Sequence, residues 1–144
     1  MTAPATAILL ITGARDWTGD PKLIRAALVD FAVRRRGRKC VLFHGDCPHG
    51  RVGRSVDMLA DGYARELGWR VERFRADWER WGSAAGPIRN RAMVARAVEF
   101  LAEGSVVEVM GWPMPHSRGT LDCLKAARNR GLDVTVHEWS EPDA

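Results

Sequence analysis

The sequence predicts a doubly wound α/β domain built on a five-stranded parallel sheet with helices on both faces. Three observations carry this. Short apolar runs of strand length alternate with stretches of helical period. Glycine punctuates the joins between them, at positions 13, 45, 68, 111 and 131. The chain has 144 residues, 46% of them apolar, which suits one core of ordinary size and a single domain spanning 1–144, with its core at about 7–138.

The first run, Ala7–Thr12, is apolar throughout and ends at Gly13, as expected of a strand buried on both faces. Asp20-Pro21 supplies a cap and a first-turn proline, and Leu23, Ala27, Leu28 and Phe31 then recur at helical spacing up to the basic run 34–38. That run suits a solvated helix end, where the dipole favours cations, better than a nucleic-acid patch. Lys39–His44 is the second strand, and residues 45–53 form a loop holding glycines and a proline. A helix from about Ser55 to Leu67 buries Val56, Leu59, Ala60, Tyr63, Ala64 and Leu67 and is closed by Gly68, before a third strand at Trp69–Phe74.

The segment Ala76–Pro87 has no period and is expected to be a long functional loop, with Pro87 opening the next helix. Ser105–Met110 is the fourth strand, Gly111–Gly119 a loop, and about Thr120–Asn129 the last helix, which feeds a fifth strand at Leu132–His137. The polar tail Ser140–Ala144 is expected to fray. Right-handed crossovers between such elements give the strand order 3-2-1-4-5. Its topological switch lies between strands one and four, so the loops after those strands should line a ligand crevice.

Composition narrows the function. The formal charge of +4 comes from 22 basic against 18 acidic residues, a balance too even to indicate nucleic-acid binding by itself. Cys40, Cys47 and Cys123 are odd in number and widely spaced, which fits a reducing compartment rather than a disulfide framework. The HGDCPHG stretch brings His44, Cys47 and His49 close in sequence, but no second cluster at ligand spacing completes a metal site, so none is expected. AILLIT is too short to span a membrane and lacks a basic flank. A cytoplasmic protein with no membrane partner and no bound cofactor is expected.

Four segments suit phosphate binding, because glycine lets the backbone approach an oxyanion and the following helix offers free amides. They contain Gly13, Arg15, Asp16 and Trp17; then Gly45 and Asp46; then Arg89, Asn90 and Met93; and last Ser117, Arg118, Gly119 and Thr120. Each alone reads equally as structural punctuation. The predicted topology brings them to one edge of the sheet, with Arg15, Arg89, Arg91 and Arg118 available to fork onto phosphate oxygens. Trp17, Trp78, Trp81 and Trp112 fall in or beside these loops, either to stack on a ligand ring or to pack loops onto the sheet.

GARDW, HGDCPHG, ADWERWGSAAGPIRNRAM and SRGT together resemble the YspA branch of the YpsA-related SLOG superfamily, from about Ile8 to Val136. The resemblance implies a Rossmann-like fold and a nucleotide or nucleotide-derived ligand. Arg89-Asn90-Arg91-Ala92-Met93 is also similar to the RKxxM-like segment of the superfamily's LOG-type phosphoribohydrolases, with Arg89 in the place of the catalytic arginine. Their PGGxGTxxE segment survives as Ser117-Arg118-Gly119-Thr120, but Cys123 stands where the glutamate would be and Asp122 comes one residue early. Asp57 loosely resembles a Gly-Ala-Asp helix start and reads equally as a first-turn acid.

A binding domain that senses or sequesters a phosphorylated, nucleotide-derived small molecule is therefore the expected function. The alternative is a hydrolase of nucleotides, glycosidic or phosphoester, with Arg89 and Asp122 as its catalytic candidates. Single-stranded nucleic-acid binding, suggested by the superfamily's DprA members, lacks the long basic and aromatic stripe it would need. Pairing of copies into a homo-oligomer, through helices or the Trp-bearing loops, is compatible with the chain.

Overall fold

The structure, a computed structural model, describes residues 6–140. The tail positions 141–144, expected to fray, lie outside the described residues. Five strands, β1 (Thr6–Gly13), β2 (Lys39–His44), β3 (Arg70–Arg73), β4 (Val106–Trp112) and β5 (Asp133–Val136), pair in parallel in the order β3-β2-β1-β4-β5. Between them run α1 (Pro21–Arg34), α2 (Val56–Glu66), the one-turn α3 (Trp78–Trp81), α4 (Ala85–Ala102) and α5 (Arg118–Asn129). The predicted fold and strand order are those observed.

The central strand explains the two layers. Ala7, Leu9 and Ile11 of β1 face α1 and α2 in one core cluster, while Ile8 and Leu10 join Met93, Val94, Cys123 and Leu124 of α4 and α5 in the other. A strand flanked by helices on both sides must be apolar at consecutive positions, which is why AILLI lacks the alternation of a half-exposed strand.

At the amino edge of the sheet, the α1 end carries its basic run away from the strands' carboxyl ends, as expected. Arg34 and Arg35 both donate to the carboxylate of Glu108 on β4, at 2.7–3.1 Å. Burial opposes ionisation of Glu108, but the two guanidinium groups outweigh it and hold its pKa below the ordinary value.

Three predicted boundaries are corrected. Residues 78–87 are helical rather than looped: Asp77 caps α3 by accepting from the Arg80 N–H at 3.1 Å, a 3-10 turn covers Gly82–Ala84, and α4 starts at Ala85. Pro87 sits inside the first turn of α4, where its missing N–H has no helical partner to lose. β4 also continues two residues past Met110, with Gly111 opposite Val136 and Gly13 opposite Trp112. Gly111 does not end the strand; a Cβ there would lie 2.7 Å from Leu124 Cδ1, so the glycine admits α5 against the sheet. Correspondingly α5 starts at Arg118, earlier than its apolar period suggests. Among the described residues no helix is long and apolar enough to cross a membrane.

Candidate functional site

β1 and β4 lead their following loops to opposite sides of the sheet, and a cleft of about 700 Å³ opens where they part. Residues 12–16 at the end of β1 and 114–120 after β4 line it, joined by Gly45 and Cys47 after β2 and by the amino end of α4. A side lobe of about 530 Å³ shares Arg15, Gly45, Cys47, Trp78 and Arg89 with it and adds Asp46 and Arg75.

The front wall is stapled. Asp16 accepts from the N–H groups of Val52 and Gly53 at 2.9 and 3.2 Å, Gly50 N–H donates to Arg15 O, and Trp17 and Arg54 exchange two backbone bonds of 3.0 Å. The hydrogen bonds from Val52 and Gly53 lower the Asp16 pKa. This carboxylate is thus engaged in holding the loop, although the residue lines the cleft. Trp17, expected at the ligand, is corrected: it is buried in the core cluster with α1 and α2, its ring lying over Gly19. Gly13 has a packing role, since a Cβ there would come within 2.5 Å of Val56 on α2.

The loop after β2 is fixed from beneath. His44 is fully buried; its Nδ1 accepts from Asp46 N–H at 3.0 Å, so Nε2 carries the proton and donates to Asp61 at 2.7 Å. Arg73 and Arg65 also contact Asp61, both at 2.7–2.8 Å. Burial raises the Asp61 pKa, but the bonds from Arg73 and His44 prevail and bring it down to about 2 from an ordinary 3.8. A depressed carboxyl pKa stabilises the fold at pH above the ordinary value, and that stabilisation disappears as pH falls through the folded-state value. Denaturant titrations should show roughly 2 kcal/mol lost from this source between about pH 4 and pH 2. Asp61→Asn should flatten that part of the profile, and an equally steep acid limb in the variant would refute the assignment.

His49 Nδ1 accepts from Ser55 N–H at 2.8 Å, so both histidines of HGDCPHG serve the loop. Among the described residues no group of three or more His, Cys, Asp and Glu side chains is placed to hold a metal. Asp46 has a positive φ of 56°, faces the side lobe and pairs with Arg75 at 3.0 Å rather than lining the main cleft.

α4 supplies the back wall. Arg89 donates through Nε to Asn90 Oδ1 at 2.9 Å and through Nη1 to the Gly45 and Phe74 carbonyls. Gly45 leaves room for this approach, since a Cβ there would lie 2.6 Å from Arg89 Nη1. Asn90, buried, donates onward to Gly119 O at 3.2 Å and to Asp122 Oδ2 at 2.9 Å, linking α4 to the start of α5. Met93 is buried at the base of the cleft, while Arg91 is exposed and lies outside the lining.

At the start of α5 the N–H groups of Gly119 and Thr120 have no backbone partner among the described residues, as first-turn amides do not. Ser117 Oγ accepts from Met114 N–H at 2.9 Å, shaping the turn in which His116 takes a φ of 69°. Arg15 and Arg118 line the same cleft, and their guanidinium groups have neither a hydrogen-bond nor an ion-pair partner among the described residues. The two neighbours on α5 separate cleanly: Asp122 lines the cleft, and Cys123 points into the core, where burial pushes its thiol up to about 12.

Asp57, which the sequence leaves open between a site residue and an ordinary first-turn acid, reaches the cleft. It is 3% exposed and lines the cleft; its Oδ2 accepts from Cys47 N–H at 3.2 Å, and its Oδ1 is buried without a partner among the described residues. Burial raises its pKa, opposed by His44, the Cys47 N–H and Arg89. Only its loose likeness to a Gly-Ala-Asp helix start marked it, against the common pattern of an acid in a first helical turn. Of the tryptophans, Trp78 lines the cleft and is 54% exposed, while Trp112 is buried and stacked on His137 at 4.3 Å.

A parallel sheet in this order, with glycine-bearing loops and arginines gathered at its switch point, defines a Rossmann-like domain with its cleft at the carboxyl ends of the strands. The chain belongs to the YspA, cpYpsA-related SLOG family, whose model matches residues 7–81. It is also 33% identical over 131 residues to the Gene 61 protein of Mycobacterium phage D29, a match covering 88% of this chain and 92% of that protein. The family match takes in Gly13, Arg15, Gly45 and Asp57 and ends at Trp81, ahead of Arg89 and the α5 turn.

Proposed function

We propose that this protein binds a phosphorylated, nucleotide-derived small molecule in the cleft between β1 and β4, with the phosphate at the start of α5. The observation that carries this is the meeting on one cleft of the Gly119 and Thr120 amides with the Arg15 and Arg118 guanidinium groups, all without a partner among the described residues. Free amides at a helix start and forked guanidinium donors each suit a phosphate, and together they surround it from two loops. The exposed indole of Trp78 offers a face for the base. A volume of about 700 Å³ accommodates a nucleotide. Family membership is consistent with such a ligand.

Calorimetric titration with AMP and with ADP-ribose tests the reading. Arg15→Ala and Arg118→Ala should each weaken binding about 10-fold, the effect of losing one charge-assisted hydrogen bond. Unchanged affinity in both variants would sink the site.

A hydrolytic role has one observation in its favour: two carboxyl groups, Asp57 and Asp122, both line the cleft. Chromatography of the same mixtures decides between binding and turnover, since free base or phosphate accumulating with time requires an enzyme.

A further inference from the structure

We infer that Asp57, Cys47 and Arg89 form a subsite on the cleft floor for a sugar hydroxyl, making the site selective for ribose over its deoxygenated forms. The inference rests on the nucleotide-binding reading and adds to it the part of the ligand that reaches deepest.

The floor holds one unused acceptor and one poorly used donor. Asp57 Oδ1 is buried without a partner among the described residues, while the other carboxylate oxygen is held by Cys47 N–H. Of the Arg89 nitrogens, Nε and Nη1 are committed to Asn90, Gly45 and Phe74. Among the described residues Nη2 meets only Cys47 Sγ, at 3.8 Å, a long contact to a weak acceptor. Buried polar groups in folded proteins are nearly always paired, so an orphaned carboxylate oxygen in the wall of a cleft marks a place where a ligand supplies the partner.

The two groups restrict what that partner is. A phosphate would set its charge against Asp57, an ammonium would set its charge against Arg89, and a carbonyl would answer Arg89 alone. A hydroxyl donates to the carboxylate and accepts from the guanidinium at once. A purine edge also carries a donor beside an acceptor, but position argues against it. Trp78, the exposed aromatic face, lines both the main cleft and the side lobe, as Cys47 and Arg89 do, whereas the unpaired carboxylate belongs to Asp57, which lines the main cleft only. A base stacked on Trp78 lies toward the rim, and the sugar that joins it to the phosphate passes over the floor.

The test compares AMP, 2′,3′-dideoxy-AMP and inorganic phosphate as probes of the full chain, by amide NMR titration. All three should shift the Gly119 and Thr120 amides, and AMP should bind at least about 10-fold more tightly than its dideoxy form, as loss of a hydrogen bond to a charged group predicts. Asp57→Asn keeps an oxygen for Cys47 N–H and should bring the two nucleotides to within about 2-fold of each other. Equal affinity of the wild-type protein for the two nucleotides would overturn the subsite and leave the phosphate site standing. An Asp57→Asn variant that weakens both nucleotides equally would overturn it in favour of a base edge. If none of the probes moves the Gly119 and Thr120 amides, the phosphate site itself falls. The wild-type comparison needs no variant, so it decides the matter even where Asp57→Asn fails to fold.

Discussion

Gly119→Leu should abolish nucleotide binding while leaving the protein folded. A Cβ built on Gly119 meets no atom within 4 Å, and its φ lies outside the left-handed region, so the backbone accepts any L residue. Leucine is a better helix former than glycine by about 1 kcal/mol, so the first turn of α5 should hold or gain stability. Gly119 lines the cleft, so a leucine there stands beside the Gly119 and Thr120 amides proposed to receive the phosphate. Displacing the phosphate removes several charge-assisted hydrogen bonds together, an effect on the order of 100-fold or more in Kd. Calorimetry with AMP and a thermal melt check both halves of the expectation. A variant that binds AMP like the wild type would place the phosphate somewhere other than α5.

Gly13→Val should act in the opposite way, on the fold first. The Cβ alone would come 2.5–2.7 Å from Val56 Cβ and both its methyl groups. Val56 cannot simply rotate away, because all its side-chain atoms crowd the same spot and it is fully buried. Its amide is also bound to Ala14 O at 3.0 Å, and the preceding Ser55 caps α2. The start of α2 must therefore shift, disturbing the Trp17–Arg54 pairing beside it. Overpacking of this kind costs about 3 kcal/mol, which at this chain length is on the order of 10 °C in Tm. An unchanged Tm would mean that the α2 contact is looser than the distances imply.

Much of the fold was legible because the signals agreed with one another. AILLI is apolar at every position as a central parallel strand must be, Asp20-Pro21 and Ser55 stand at observed helix starts, and Gly68 and Gly131 take positive φ just past helix ends. The misreadings came from residues with two physical uses. Gly111 reads as a turn, but it continues β4 because Leu124 needs the room. Ala76–Pro87 has no period because a one-turn helix and a 3-10 turn are too short to show one.

Within the site, residues that reach the cleft from chain neighbours were easier to find than those that reach it by burial. Gly119, Thr120 and Arg118 are adjacent in sequence and adjacent in space. Trp17 looked like a ligand platform and is instead a core residue, since an indole after a strand serves either use. Asp57 read equally as a Gly-Ala-Asp-like site acid and as an ordinary first-turn acid; that it is buried with an oxygen lacking a partner among the described residues depends on how closely α2 meets β1, which no local pattern encodes.

The stapling of the front wall has a consequence for kinetics. Asp16, the Trp17–Arg54 pair and the Gly50–Arg15 bond order the two loops before any ligand arrives. The conformational entropy of that wall is lost during folding, so association need not wait for a loop to close and little of the binding free energy is consumed in ordering it. A nucleotide should then associate at a rate governed by encounter and by the pull of Arg15 and Arg118 on its charge. Rising ionic strength would accordingly slow its arrival far more than it hastens its departure.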